Sequence, residues 1–87
     1  MLVLRLRGEL DVAGVPLVHD AVERRAAGRP GLIVDLGALE FMDVSGLGLM
    51  VRLRDRTGIE VAFGQPNASI GRLLDLTGLR AGFHWVA

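Results

Sequence analysis

The chain has 87 residues, no cysteine, and ten arginines balanced by ten acidic residues with no lysine at all. So short a chain builds one small core, and without thiols it has neither a disulfide framework nor cysteine ligands for zinc. Zero net charge and only 5% aromatic residues argue against nucleic acid as a partner, and no apolar run approaches the roughly 20 residues that cross a bilayer.

Met1 runs directly into Leu2, Val3 and Leu4 without a basic-then-apolar leader, which reads as a cytoplasmic chain with no inserted segment. Leu2, Leu4 and Leu6 alternate with Val3, Arg5 and Arg7, the period of an edge or half-exposed strand, and Gly8 follows as a turn signal. Pro16 suits the first turn of a helix in which Leu17, Val18, Ala21, Val22 and Ala26 face inward, with Gly28 and Pro30 as the stop. Leu32, Ile33 and Val34, ending in Asp35 and Leu36, look like a central strand covered on both faces.

The joint Phe41, Met42, Asp43, Val44, Ser45, Gly46, Leu47, Gly48 joins an apolar strand signal to an apolar helix signal. Asp43 and Ser45 are both good helix caps, and the opening N–H groups of a helix need partners from side chains, water or another molecule. Leu47, Leu49, Met50, Val51 and Leu53 then cover an arc of about 200°, wider than the usual surface stripe, so this helix is expected to be extensively buried. Arg52, Asp55 and Arg56 mark its wet side.

Thr57 and Gly58 break that helix, and Ile59, Val61 and Phe63 alternate as a third strand. Pro66 and Asn67 start a helix with Ile70, Leu73, Leu74 and Thr77 on one side and Gly78 at its end, and Phe83 to Val86 form a last short strand. Strands that alternate with helices imply an α/β fold: one domain over residues 1–87, with a mostly parallel (mixed) four-stranded sheet joined by right-handed crossovers.

Three signposts carry a family resemblance. Gly8, Glu9, Leu10, Asp11 follows the first strand; Val34, Asp35, Leu36 precedes the Phe41 to Gly48 joint; Leu74, Asp75, Leu76, Thr77, Gly78, Leu79 comes near the end. In order and spacing they resemble a STAS domain, the anti-sigma factor antagonist family, across nearly the whole chain. The resemblance implies a non-catalytic switch protein, without a cofactor, that binds an anti-sigma factor of the serine-kinase type and so frees a sigma factor. It also implies a partner surface made of Gly8, Glu9 and Asp11 with Asp43, Val44, Ser45, Gly46 and Gly48. There Asp43 would accept hydrogen bonds and the two glycines would let a partner approach the backbone. For Asp43 and the glycines, capping and tight packing against the sheet weigh equally.

In that family the kinase phosphorylates a hydroxyl residue directly after the motif aspartate. Here that position is Val44, which has no hydroxyl. Two readings follow: Ser45 is the phosphoacceptor, or Ser45 only caps the helix and binding proceeds without a phosphate switch. The second is favoured, because capping is the commoner work of serine at a helix start.

Other chemistries fare worse. His19 and His84 are far apart with no cysteine or paired acid at ligand spacing. Ser45 lacks the glycine two residues earlier that a nucleophile elbow needs, which leaves a small hydrolase as a distant third choice. Gly46, Leu47, Gly48 lacks the third glycine of a dinucleotide fingerprint and the lysine of a P-loop. The second choice keeps the fold and changes the client, as a STAS subunit regulating a lipid-transport ATPase. Compared with the family pattern the chain looks minimal, lacking a strand before Leu2 and a helix after Ala87, and the resulting bare edge would favour a homodimer.

Overall fold

The computed structural model describes residues 2–86. Alternating leucines make the first strand, β1 (Leu2–Leu10), in which Leu4, Leu6 and Leu10 are buried while Val3, Arg5, Arg7 and Glu9 are exposed. Helix α1 (Val15–Arg25) follows, with Pro16 in its first turn and no side-chain cap. It leads to β2 (Gly31–Met42) and α2 (Val44–Arg54), then to β3 (Glu60–Gly64) and α3 (Ala68–Thr77). A 3-10 turn (Arg80–Gly82) precedes the short β4 (Trp85–Val86).

The sheet runs β1-β2-β3-β4 in chain order, and all three pairings are parallel. Among the described residues the sheet is therefore wholly parallel, without an antiparallel strand. Successive neighbours joined by right-handed crossovers put the helices on one face, and the core agrees. Leu4, Leu32, Val34 and Phe63 on the strands join Val22 of α1, Leu49, Met50 and Leu53 of α2, and Ile70 and Leu74 of α3 in one cluster. Burying one such side chain contributes about 1.5–3 kcal/mol. Ile33, expected inside a strand covered on both faces, instead pairs with the half-exposed Val3 on the opposite face. That face also carries the Arg5–Asp35 ion pair at 3.4 Å.

Gly8 is not a turn. β1 continues through it to Leu10, and β2 runs on to Met42 as its partner. The extra residues of β2 are absorbed as register shifts between Arg5 and Arg7 and between Gly8 and Glu9, and Gly8 meets the local twist with a φ of 72° that only glycine adopts freely. The β1–β2 ribbon thus extends past β3, which pairs with β2 only from Gly31 to Val34. Leu17, expected in the core, lies on the outer flank of α1 at 70% exposure.

Side chains lock the remaining joints. Asn67 caps α3 by accepting from the Ile70 N–H at 3.0 Å, and its amide donates to the Leu39 carbonyl of β2. Gly78 ends α3 at a φ of 71°. Trp85 donates from Nε1 to the Arg80 carbonyl at 2.8 Å and packs its ring tilted against Phe63 and edge-on to Phe83, an edge anchor. On the far side, Glu23 of α1 pairs with Arg56 just after α2. That hydrogen bond, and then the charge of Arg56, hold the Glu23 carboxyl below the usual carboxylate range.

Candidate functional site

Parallel α/β sheets present their ligand surfaces at the carboxyl ends of the strands, and here the ends of β1 and β2 coincide. The Asp43 N–H donates to the Leu10 carbonyl at 3.3 Å, so the turn after β1 and the start of α2 form one rim. Both sides are built by an aspartate. Asp11 accepts from the N–H groups of Ala13 and Gly14 at 3.1 and 3.0 Å, and its carbonyl accepts from Val15 at 2.9 Å, closing the turn that launches α1.

Asp43 does the same for α2. In extended backbone conformation (φ −106°, ψ −169°), it takes the N–H of Ser45 at 2.9 Å and that of Gly46 at 3.3 Å on one carboxylate oxygen. Asp43 is therefore the N-cap, and Ser45 lies within the first turn of the helix; the assignment of Ser45 as the cap does not hold. The reason is geometric: the helix opens at Val44, so the N–H groups left without a helical partner include those of Ser45 and Gly46, which the Asp43 carboxylate reaches, and the Leu47 N–H is already bonded to the Asp43 carbonyl.

The two glycines part company. Gly46 is buried and faces the sheet, where a Cβ would lie 2.9 Å from the Leu10 carbonyl oxygen and 3.1 Å from Leu10 Cγ, and closer still to Met42 Cγ. It lets α2 approach the ends of β1 and β2, and it is not a surface for a visitor. Gly48 is half-buried on the outer side, where its nearest neighbour would be the Arg52 guanidinium at 3.3 Å.

Val44 is the outermost side chain of the rim at 79% exposure, with Val12 of the opposite turn at 73%. Between them is a hollow of about 380 Å3, lined by Val12, Val15 and Pro16 from one side and Val44, Ser45, Gly48 and Arg52 from the other. Of the eight residues singled out in the sequence, the structure gathers Asp11, Asp43, Val44, Ser45 and Gly48 here. Glu9 stands one step back on β1 beside Phe41, and Gly8 serves the strand. Sequence reasoning missed Val12, and it treated Arg52 only as part of a wet helix face. An apolar residue inside an Asp-Val-Ala-Gly turn, where nothing local can bury it, was the available signal for Val12.

A family model described as STAS domain matches residues 1–87. An anti-sigma F factor antagonist from Paenibacillus polymyxa is 36% identical over 86 residues, covering 91% of this chain and 72% of that protein. An anti-sigma-B factor antagonist from Staphylococcus epidermidis is 33% identical over 85 residues, covering 93% of this chain and 79% of that protein. Among solved structures, the anti-sigma factor antagonist SpoIIAA in its unphosphorylated form shares the fold, with a TM-score of 0.73 at 24% identity over 98% of this chain and 78% of that one. The chain belongs to the STAS domain family.

Proposed function

We propose that the protein is an anti-sigma factor antagonist: it binds an anti-sigma factor through the Asp11 and Asp43–Gly48 rim and thereby frees a sigma factor, without catalysis of its own. The curated relatives carry that name along more than nine-tenths of the chain. The observation that carries the reading is the rim itself. Two aspartates spend their carboxylates on rigid turns and leave Val12 and Val44 standing outward on either side of one hollow, an apolar pair that a partner seated there would cover. No helix of the described residues is long and apolar enough to cross a membrane, which fits action in the cytoplasm.

Binding here is not switched off by phosphate. The outward position at the start of α2 is held by Val44, which offers no oxygen. Ser45 is half-buried behind it, its own N–H tied to the Asp43 carboxylate, whose charge would repel a dianion on the neighbouring hydroxyl. The test pairs the purified chain with each anti-sigma serine kinase encoded by the source genome. The expected result is a complex by calorimetry, and no added phosphate by intact mass after incubation with ATP. A phosphorylated Ser45 would overturn the switchless reading, and absence of any complex would overturn the function.

A further inference from the structure

Arg5, Arg54, Arg56 and Arg80 each face a carboxylate of this chain. Arg52, like Arg7, Arg24, Arg25, Arg29 and Arg72, forms no ion pair among the described residues; what sets it apart is its place on the hollow. Helical side chains lean toward the N-terminal turn, and Gly48, one turn earlier, leaves the space in which the Arg52 guanidinium comes to lie. The cation is thereby brought to the rim of the hollow whose walls are Val12, Val15, Pro16 and Val44.

That combination selects an occupant. A wholly apolar segment would fill the hollow but leave the cation at its edge without an opposite charge to steer the encounter. A basic segment would be repelled. A segment with an apolar side chain beside an acidic one satisfies both halves, the first seated between Val12 and Val44 and the second reaching Arg52 with a charge-assisted pair.

We infer that the hollow docks an apolar-acidic segment of the partner protein, with Arg52 as its specificity-determining cation. This rests on the function proposed above and adds the chemistry that the partner must present. Because Arg52 is exposed, its pair acts at the edge of the contact and speeds encounter more than it slows release.

The experiment measures association and dissociation rates, at low and high salt, between the anti-sigma serine kinase that binds the unmodified chain and four forms: unmodified, Arg52→Glu, Arg52→Lys and Val12→Ala. Arg52→Glu is expected to lower the association rate about tenfold at low salt and to flatten its salt dependence. Arg52→Lys keeps most of the rate, and Val12→Ala acts mainly by faster release. Unchanged association for Arg52→Glu overturns the inference while leaving the function intact, and so does an equal loss in Arg52→Lys. If no kinase binds the unmodified chain, the functional reading falls and takes the inference with it. Self-association of the chain that Arg52→Glu abolishes would assign the hollow to a second copy and overturn the inference as well.

Discussion

Replacing Gly46 by alanine tests whether that residue closes α2 onto the sheet. The added methyl would meet the Leu10 carbonyl oxygen at 2.9 Å and Leu10 Cγ at 3.1 Å, and Met42 Cγ more closely. The Met42 side chain can swing away. The Leu10 carbonyl cannot, because it belongs to the strand and holds the Asp43 N–H. Overpacking of this kind costs about 1–3 kcal/mol, and the carbonyl contact puts this case at the upper end. Alanine returns about 1 kcal/mol of helix propensity, leaving a net loss of about 2 kcal/mol and a thermal midpoint lowered by roughly 8–16 °C. Gly48→Ala is the internal control. Its methyl meets only the end of the flexible Arg52 side chain, so the propensity gain of up to about 1 kcal/mol survives and the midpoint rises by a few degrees. Thermal unfolding followed by circular dichroism reads both. A Gly46→Ala protein as stable as the unmodified chain, or the same shift for both variants, would refute the division of labour between the two glycines.

Asp43→Ala removes the acceptor for the Ser45 and Gly46 N–H groups and is expected to cost about 1 kcal/mol, whereas Asp43→Asn keeps most of the cap; urea unfolding of both variants checks the difference. Glu23 is more acidic in the folded chain because Arg56 stabilises its ionised form, so the contribution is present at neutral pH and fades as pH falls below about 4.5, the ordinary value for this group. The Glu23 side-chain carboxyl followed by NMR should titrate lower in the unmodified chain than in Arg56→Gln, and equal midpoints would show that the pair has no effect in solution.

Wherever a periodic pattern had one outcome, the elements were legible in the sequence. Alternating Leu2, Leu4 and Leu6 marked β1, and the Asn67 to Gly78 pattern marked α3 with both of its ends. The departures all involve residues whose meaning depends on a distant neighbour. Gly8 signals a turn locally, but the facing β2 strand carries extra residues that convert the same conformational freedom into a twist of a continuing strand. Leu17 fits a helical stripe, yet the contact with α2 and the sheet is centred on Val22. Ile33 reads as doubly covered until the sheet proves to have helices on one face.

The site followed the same rule. The strand-to-helix joint fixed where Asp43 and Val44 would lie, at the cap and first residue of α2. Which of two capping residues reaches the N–H groups depends on the extended backbone at Asp43, which composition does not reveal. Gly46 and Gly48 are two residues apart in sequence and point to opposite sides of α2, so one belongs to the fold and the other to the rim. Val12 and Arg52 are forty residues apart and meet only because β1 and β2 end together.

The central claim is that the exposed start of α2 is where the partner docks. Val44→Arg tests it most directly, because Val44 is 79% exposed and its replacement disturbs no internal contact. Titrated calorimetrically with the anti-sigma serine kinase, the unmodified chain should form a complex and Val44→Arg should not, while the variant still unfolds cooperatively, its stability lowered only by the roughly 0.3–1 kcal/mol that a cation at a helix start costs. An equally tight complex with Val44→Arg would contradict the account.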